Sequence, residues 1–385
     1  MSNLGDKIVT GYLKGYYRSA HDIAPDKLEQ REFGFGTFAS KIAFRHIAFK
    51  NESELAKYLI EVAPPFADYS AAYYEHPDGR PMEKKGWLGS ELRFDIDAND
   101  VPAPCKLDHG KEWVCSKCLD AAKEEAMKLI DDFLIADFGF SEKEIEINFS
   151  GNRGYHLHVR KDSIMMLDTS AREELSNYIF GQEPDFNLFF SKDYSENQRG
   201  KLTGPKPSDG GWRRKVAQAF LNSAYSKEMM TALGIDKVTA SWIFRNSPSV
   251  RAQIGIGNWD FHPIPKRDEV LSNLVHNQAI KQGNKIDKGV TRDPSHLMRL
   301  PNTIHGGSGL IAKKISSRAA LSAFDPLKEA IAFKKGELRV KTDFKYKLLL
   351  NGQEFGPYKK ETLTLPVYAA TYLYLKGFAD IINNN

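Results

Sequence analysis

Asp95 and Asp97 close the run Glu91-Leu-Arg-Phe-Asp-Ile-Asp97, in which Leu92, Phe94 and Ile96 alternate with charged residues. A period of two is that of a strand with one buried face, and it sets both carboxylates on the same side about 6–7 Å apart. Neighbouring carboxylates repel, so one must hold a proton or a cation must lie between them. Hard oxygen ligands in this arrangement suit Mg²⁺ or Mn²⁺. D-x-D alone is common by chance, and a solvated sheet edge explains this segment equally well.

A second segment favours the chemical reading. Glu144-Ile-Glu-Ile-Asn-Phe149 and Tyr155-His-Leu-His-Val-Arg160 both alternate, and Ser150-Gly-Asn-Arg-Gly154 joins them. A short glycine-rich link between alternating runs predicts a tight β-hairpin. Its apolar face is Ile145, Ile147, Phe149, Tyr155, Leu157 and Val159, and its other face carries Asn148, Ser150, His156, His158 and Arg160. The turn is a candidate anion cradle beside Arg153, because glycine lets backbone N–H groups point outward. Ser150 could equally serve only the turn. His158 is expected in the core, since His156 lies nearer the turn.

The third segment runs from Ile286 to His305 and continues into Gly306-Gly307. It supplies Asp287 and Asp293 as further carboxylates, and His296, Arg299 and His305 as donors. Pro294 and Pro301 exclude a long helix, so an irregular, site-building stretch is expected. A third carboxylate would complete a two-metal site for in-line displacement, with Arg and His binding phosphates.

Cys105, His109, Cys115 and Cys118 form C-x₃-H-x₅-C-x₂-C and include every cysteine of the chain. Clustered cysteines in a chain otherwise free of them argue for metal, and four such ligands suit one structural Zn²⁺. Buried thiols with a redox pair among them are the weaker alternative, and Asp108 is the nearest substitute for His109.

The elements that must position these groups follow from the remaining pattern. Asp120 to Phe138 has Met127, Ile130, Leu134 and Phe138 at helical spacing, with Gly139 as its stop. Strand, helix and hairpin in succession predict an α/β layer arrangement. From 168 to 280 helical segments dominate (Ala171 to Phe180, Val216 to Ala224, Lys227 to Leu233), which predicts an inserted, mainly helical subdomain. Within it, Asn197 to Lys215 is rich in Gly, Pro and positive charge and is expected to be a solvated loop, with a template or primer contact as the lesser reading. Beyond 310, Leu338 to Leu350 alternates up to Asn351-Gly352, a type I′ hairpin signal, and Pro366 to Leu375 is apolar nearly all round. The expected organisation is a catalytic domain in two parts, 1–167 with the zinc segment at 105–118 and 281–385, around the insert at 168–280. The 385 residues carry a net charge of only +4, which permits nucleic-acid binding without requiring it. No membrane span and no secretory leader are expected, and clustered, reduced cysteines point to the cytoplasm.

In this order and spacing, Phe94-Asp-Ile-Asp97, Ser150-Gly-Asn-Arg-Gly-Tyr-His-Leu-His-Val159 and the Asp287 to His305 stretch resemble the small catalytic subunit of the archaeal and eukaryotic type of DNA primase, with an archaeal character. Arg31-Glu-Phe-Gly-Phe35 and Ala43-Phe-Arg-His46 are similar to that family too, so the resemblance runs from about residue 10 to about residue 315. It implies that Asp95, Asp97 and Asp287 hold two catalytic Mg²⁺ or Mn²⁺ ions, with Asp293 the alternative third ligand. It implies that Ser150, Arg153 and His156 contact the phosphates of the incoming nucleotide, Arg299 and His305 the triphosphate, Arg45 the same nucleotide, and Asp68 its sugar. Asn152 stands where eukaryotic members carry a second arginine, and Arg299 where they carry lysine. The family has a zinc knuckle at the position of Cys105, His109, Cys115 and Cys118. The implied fold is α/β (α+β), a mixed-sheet catalytic fold with that knuckle and an inserted helical subdomain. The implied activity is synthesis of short primers on single-stranded DNA from nucleoside triphosphates. Implied partners are template and primer and a large subunit bearing an iron–sulfur cluster, in the cytoplasm at the replicating nucleoid. A stand-alone primase-polymerase for gap filling or end joining shares the three motifs and is the alternative. A metal-dependent phosphohydrolase would not need so many triphosphate donors, and a scaffold would not need the intact carboxylates.

Overall fold

The computed structural model describes residues 4–182, 185–193 and 201–383. The chain divides into two compact units, one of Met1–Met127, Ser141–Glu174 and Lys285–Asn385, the other of Lys128–Phe140 and Leu175–Asn284. Every described strand pairing is antiparallel. With helices around several such sheets, the architecture lies at the α+β end of the α/β class. No helix among the described residues is long and apolar enough to cross a membrane.

Two four-stranded sheets of the first unit carry most of the chemistry-bearing residues. One has the order Lys314–Ile315, Ile145–Phe149, Gly154–Val159, Leu92–Asp97. Leu92, Phe94, Ile96, Ile147, Phe149, Tyr155, Leu157 and Val159 are buried on it, as the alternation predicts. Pairing sets Asp95 opposite His156 and Asp97 opposite Gly154. A side chain at Gly154 would strike the Ile96 carbonyl, so glycine is what allows the strands to approach there. The other sheet has the order Leu297–Arg299, Phe66–Ser70, Phe33–Thr37, Ser40–Ile47, with Arg299 opposite Asp68.

Buried charge ties these sheets together. Glu91, just before the aspartate strand, is fully buried and meets Arg31, Arg93 (3.3 Å) and Arg160 (2.7 Å). Arg31 also donates to the Ser70 and Ala71 carbonyls, and Arg93 to those of Tyr69 and Ser70. Desolvating such charges is costly unless the partners are complete, and here one carboxylate is shared among three guanidinium groups. Those arginines hold the glutamate well below the usual carboxylate range against the opposing effect of burial.

The helix expected over Asp120 to Phe138 is Ser116–Lys128, continued by a wider π-helical segment at Leu129–Ile135. Gly139 ends it at φ 70°, its N–H donating to the Ile135 carbonyl at 3.1 Å. At the C-terminal end, Glu337–Phe344 pairs with Tyr358–Pro366 and Ala379–Ile381. The run to Leu350 is not one strand, because Leu348–Leu350 leaves it to form a hairpin with Gln353–Phe355. Asn351 and Gly352 turn that hairpin at φ 53° and 76°, the two positive values a type I′ turn requires. The apolar segment is a helix, Val367–Leu375, buried in the core. Trp113, between His109 and Cys115, stacks on Tyr346 at 5.5 Å and abuts Phe344, Tyr372 and Phe378.

The second unit is mainly helical, with Gly211–Ser223, Lys227–Ala232, Lys237–Arg245, Ser247–Gly255 and Arg267–Gln282 around a core that includes Phe190, Phe220 and Trp259. Of the stretch expected as a loop, Asn197 to Gly200 lie outside the described residues. The remainder departs from that expectation at its two ends, while 204–210 are turn and irregular backbone as expected. Lys201–Thr203 is a strand and Gly211 to Lys215 begin a helix. Lys215 is buried, its ammonium paired with Asp137 and donating to the Asp132 carbonyl at 2.9 Å. Its charge serves packing inside the unit, where a buried ammonium must find a carboxylate.

Candidate functional site

Side chains from both four-stranded sheets converge on a cavity of about 340 Å³. Asp95, Asp97, Ser150, Arg153, His156, Arg299 and His305 all line it, together with Lys41, Asp68, Asn152 and His296. At its acidic end, burial first and then the charges of Asp97 and Asp287 push the Asp95 carboxyl up to about 7. A divalent cation would relieve that repulsion, so the donor set fits one. Arg153 Nη2 donates to Asp97 Oδ2 at 2.7 Å, and His156 Nε2 lies 3.5 Å from Asp95 Oδ1.

Asp287 is joined to the same strand by its backbone, its N–H donating to the Asp95 carbonyl at 2.9 Å. Its Oδ1 caps the short helix Lys288–Arg292 by accepting from Gly289 at 2.8 Å, which leaves the second oxygen for other work. Asp293 is turned elsewhere, accepting from the Ser295 N–H and hydroxyl at 2.8 and 2.7 Å. Geometry thus associates Asp287, and not Asp293, with the aspartate pair.

Several donors line the same cavity. Ser150 Oγ accepts from the Gly154 and Asn152 N–H groups at 3.1 and 3.3 Å, so it does serve the turn, while its own proton remains free to donate. Gly151 is at φ 80°, and a side chain there would meet His305 Cβ at 2.9 Å. Arg299 lies 3.5 Å from Asp68 Oδ2 and over the Phe66 ring at 5.1 Å. The Nε atoms of Arg153 and Arg299 are buried without a hydrogen-bond partner. Orphaned donors of this kind are rare in interiors and mark where a ligand's acceptors would complete the set. Burial holds His156 and His305 well below the usual histidine range, and neighbouring positive or histidine groups add to it. His305 Nδ1 accepts from Gly307 N–H at 3.0 Å, so Nε2 carries the proton and can donate.

Arg45 is not among the residues lining the cavity. Its Nε donates to the buried Glu32 at 3.0 Å, which Lys85 also neutralises at 2.9 Å. Lys41, on the same strand, lines the cavity instead. Register shifts interrupt the pairing of Phe33–Thr37 with Ser40–Ile47, and such bulges re-aim side chains in ways a two-residue period does not foretell. Lys41 has no sequence signal that separates it from other surface lysines. His296, expected as a donor, lines the cavity too.

His158 is the core residue of the hairpin's polar face, fully buried, with Nδ1 3.0 Å from the Tyr69 hydroxyl. Burial and then Arg93 lower its pKa to about 3. A histidine kept neutral in the fold gives stability that is complete above the unfolded value of about 6.5 and is lost as pH falls from there towards the folded value. His158→Ala should therefore cost on the order of 2–3 kcal/mol at neutral pH, with a shallower acid limb in unfolding scans from pH 7 to pH 4. An unchanged melting temperature would show that the residue is not part of the packing.

The four ligand atoms of Cys105, His109, Cys115 and Cys118 lie within 4.8 Å of one another. Cys118 Sγ is 3.3 Å from Cys105 Sγ, 3.8 Å from Cys115 Sγ and 3.6 Å from His109 Nε2. Sulfurs around a tetrahedral zinc are about 3.8 Å apart at the usual bond length of about 2.3 Å, so the cluster is near the size required. His109 Nδ1 is 2.9 Å from the Gly110 carbonyl, the outer contact that orients a ligating imidazole through its other nitrogen. Asp108 is not part of the cluster. Metal analysis should find about one zinc per chain, and the Cys115→Ala/Cys118→Ala double variant should lose it and melt earlier. Full zinc content in that variant would contradict the assignment.

The family model described as DNA primase small subunit matches residues 94–317 of this chain. The chain is 33% identical over 419 residues to the DNA primase small subunit PriS of Methanosarcina barkeri, covering 99% of this chain and 97% of that protein. It is 33% identical over 392 residues to the protein of the same name from Methanothrix thermoacetophila, covering 95% and 96%. Against that of Picrophilus torridus it is 30% identical over 370 residues, covering 94% of each.

Proposed function

The chain belongs to the DNA primase small-subunit family, and on that premise we propose that it condenses nucleoside triphosphates into short primers on single-stranded DNA, releasing pyrophosphate. One observation carries the proposal: a single cavity gathers the carboxylates Asp95 and Asp97 with two arginines, Arg153 and Arg299, whose Nε atoms are buried without a hydrogen-bond partner. A nucleoside triphosphate in the presence of divalent cations matches both sets of groups.

Asp95, Asp97 and Asp287 would hold two Mg²⁺ or Mn²⁺ ions, whose chemistry when bound is to activate the attacking hydroxyl and offset the charge of the leaving pyrophosphate. Arg153 and Arg299 bind phosphate oxygens as charge-assisted donors, and the neutral His156 and His305 donate through N–H groups. Because these donors are held by strand pairing, by Phe66 and by the turn glycines, little reorganisation accompanies the reaction. Ser150 completes the turn and offers its hydroxyl to the phosphate chain. Asp68, paired with Arg299, faces the same cavity and is assigned to the sugar side. The bond formed joins the primer 3′-oxygen to the α-phosphorus, and the bond broken releases the β,γ-diphosphate as pyrophosphate.

The remaining assignments belong to the same proposal: one structural zinc in the knuckle, a large primase subunit as partner, and replication initiation in the cytoplasm as setting. The test is direct. Incubated with single-stranded DNA, labelled nucleotides and Mn²⁺, the purified chain should yield labelled oligonucleotides and one pyrophosphate per nucleotide added. Release of phosphate or pyrophosphate without polymer would make it a hydrolase and overturn the proposal.

A further inference from the structure

We infer that Lys376, delivered by the C-terminal helix, binds the phosphate tail of the incoming nucleotide alongside Arg153. Lys376 ends the helix Val367–Leu375, and its ammonium donates to Asn152 Oδ1 in the hairpin turn. Asn152 lines the cavity, and Arg153 follows it directly. The Nζ of Lys376 lies over the Tyr372 ring, 5.3 Å from its centroid. Tyr372 in turn packs on Trp113 of the zinc segment, so the lysine's position is braced from behind.

The charge environment is that of an incomplete anion site. No carboxylate among the described residues pairs with Lys376, and its hydrogen-bond partner is a neutral amide. Burial and then the Arg153 guanidinium lower its pKa to about 7, with Asp97 acting in the other direction. Its charge is also felt at His305, which lines the same cavity. Two cations brought together inside a fold repel unless an anion lies between them, and a lysine engaged once still has two N–H donors to offer. A polyphosphate tail supplies that anion. The lysine lies outside the segment that matches the family model, residues 94–317.

This inference rests on the proposed nucleotide reaction, and the test separates the two. Steady-state incorporation against nucleotide concentration is measured for the whole chain and for Lys376→Met and Lys376→Arg, with calorimetric binding of tripolyphosphate and of a nucleoside monophosphate. Losing one charge-assisted contact should raise the nucleotide KM about tenfold or more in Lys376→Met and weaken tripolyphosphate equally. Lys376→Arg should recover most of the loss, while monophosphate binding, single-stranded DNA affinity and melting temperature stay unchanged. Equal KM and tripolyphosphate affinity in the Met variant and the unaltered chain would overturn the role of Lys376, as would equal loss of the monophosphate. Should the Met variant fail to fold, Lys376→Gln is compared with Lys376→Arg, and identical nucleotide KM values overturn it. If the unaltered chain makes no polymer, the reaction falls, and tripolyphosphate calorimetry still decides the lysine.

Discussion

Asp95→Asn and Asp97→Asn should each reduce nucleotide incorporation by about a thousandfold or more while leaving a folded chain with its zinc. The size follows from removing a ligand of cations that contribute several kcal/mol to phosphoryl-transfer transition states, at about 1.4 kcal/mol per tenfold. Stability should move the other way. Without metal, burial and the charges of Asp97 and Asp287 hold the Asp95 carboxyl up at about 7, so its ionised form strains the fold at pH 8. A neutral amide in its place removes the repulsion, and Asp95→Asn should melt no earlier than the unaltered chain in metal-free buffer. Millimolar Mn²⁺ should raise the melting temperature of the unaltered chain and do so far less in either variant. Asp287→Asn should share the loss of incorporation, and Asp293→Asn should be mild, since Asp293 is committed to Ser295. Full activity in Asp95→Asn would remove the aspartate pair from catalysis. An inactive Asp293→Asn beside an active Asp287→Asn would exchange the third ligand.

Arg153→Ala should cost on the order of 2–4 kcal/mol of transition-state stabilisation, read as a drop of about 30- to 1,000-fold in kcat/KM for the nucleotide. Arg153 pairs with Asp97 at 2.7 Å while its Nε is buried and unpartnered, so it stands between the carboxylates and the position assigned to the phosphates. Single-stranded DNA affinity should not change, because phosphate-backbone contacts of the template are separate from the nucleotide's own charges. His156→Ala should lower incorporation in the same direction. Because the imidazole is neutral, its loss removes a donor and a packing group but no charge, and the effect should be smaller than that of Arg153→Ala. Nucleotide kinetics in Arg153→Ala equal to those of the unaltered chain would detach the hairpin from the reaction and leave the proposal resting on the aspartates.

Much of the cavity was legible because its parts are locally periodic. Asp95, Asp97, Ser150, Arg153 and His156 lie on two strands and the turn beside them, where alternation assigns each strand residue a face, and antiparallel pairing then sets Asp95 against His156. Arg299 and His305 come from a stretch where proline and glycine announced irregular backbone, and they line the same cavity. Where prediction and structure part, backbone irregularity or long separation is responsible. Register shifts along Ser40–Ile47 present Lys41, not Arg45, to the cavity. The Gly-Pro-Lys stretch ends in helix because Lys215 finds Asp137 inside the second unit. Charge in a sequence looks solvated until its partner is known.

By itself the sequence determined the aspartate strand, the glycine hairpin, the four-ligand cluster and the type I′ turn at Asn351-Gly352. Each depends on spacings of a few residues, which backbone geometry converts directly into positions. The tertiary structure alone decided that Glu91 turns inward to bind three arginines, that Trp113 anchors the Cys/His segment in an aromatic cluster, and that Lys376 reaches Asn152 across 224 residues of chain. Those contacts join segments that share no local period. They exist because burying a charge or a large ring is favourable only where a distant partner completes it, and that partner's location is a property of the whole fold.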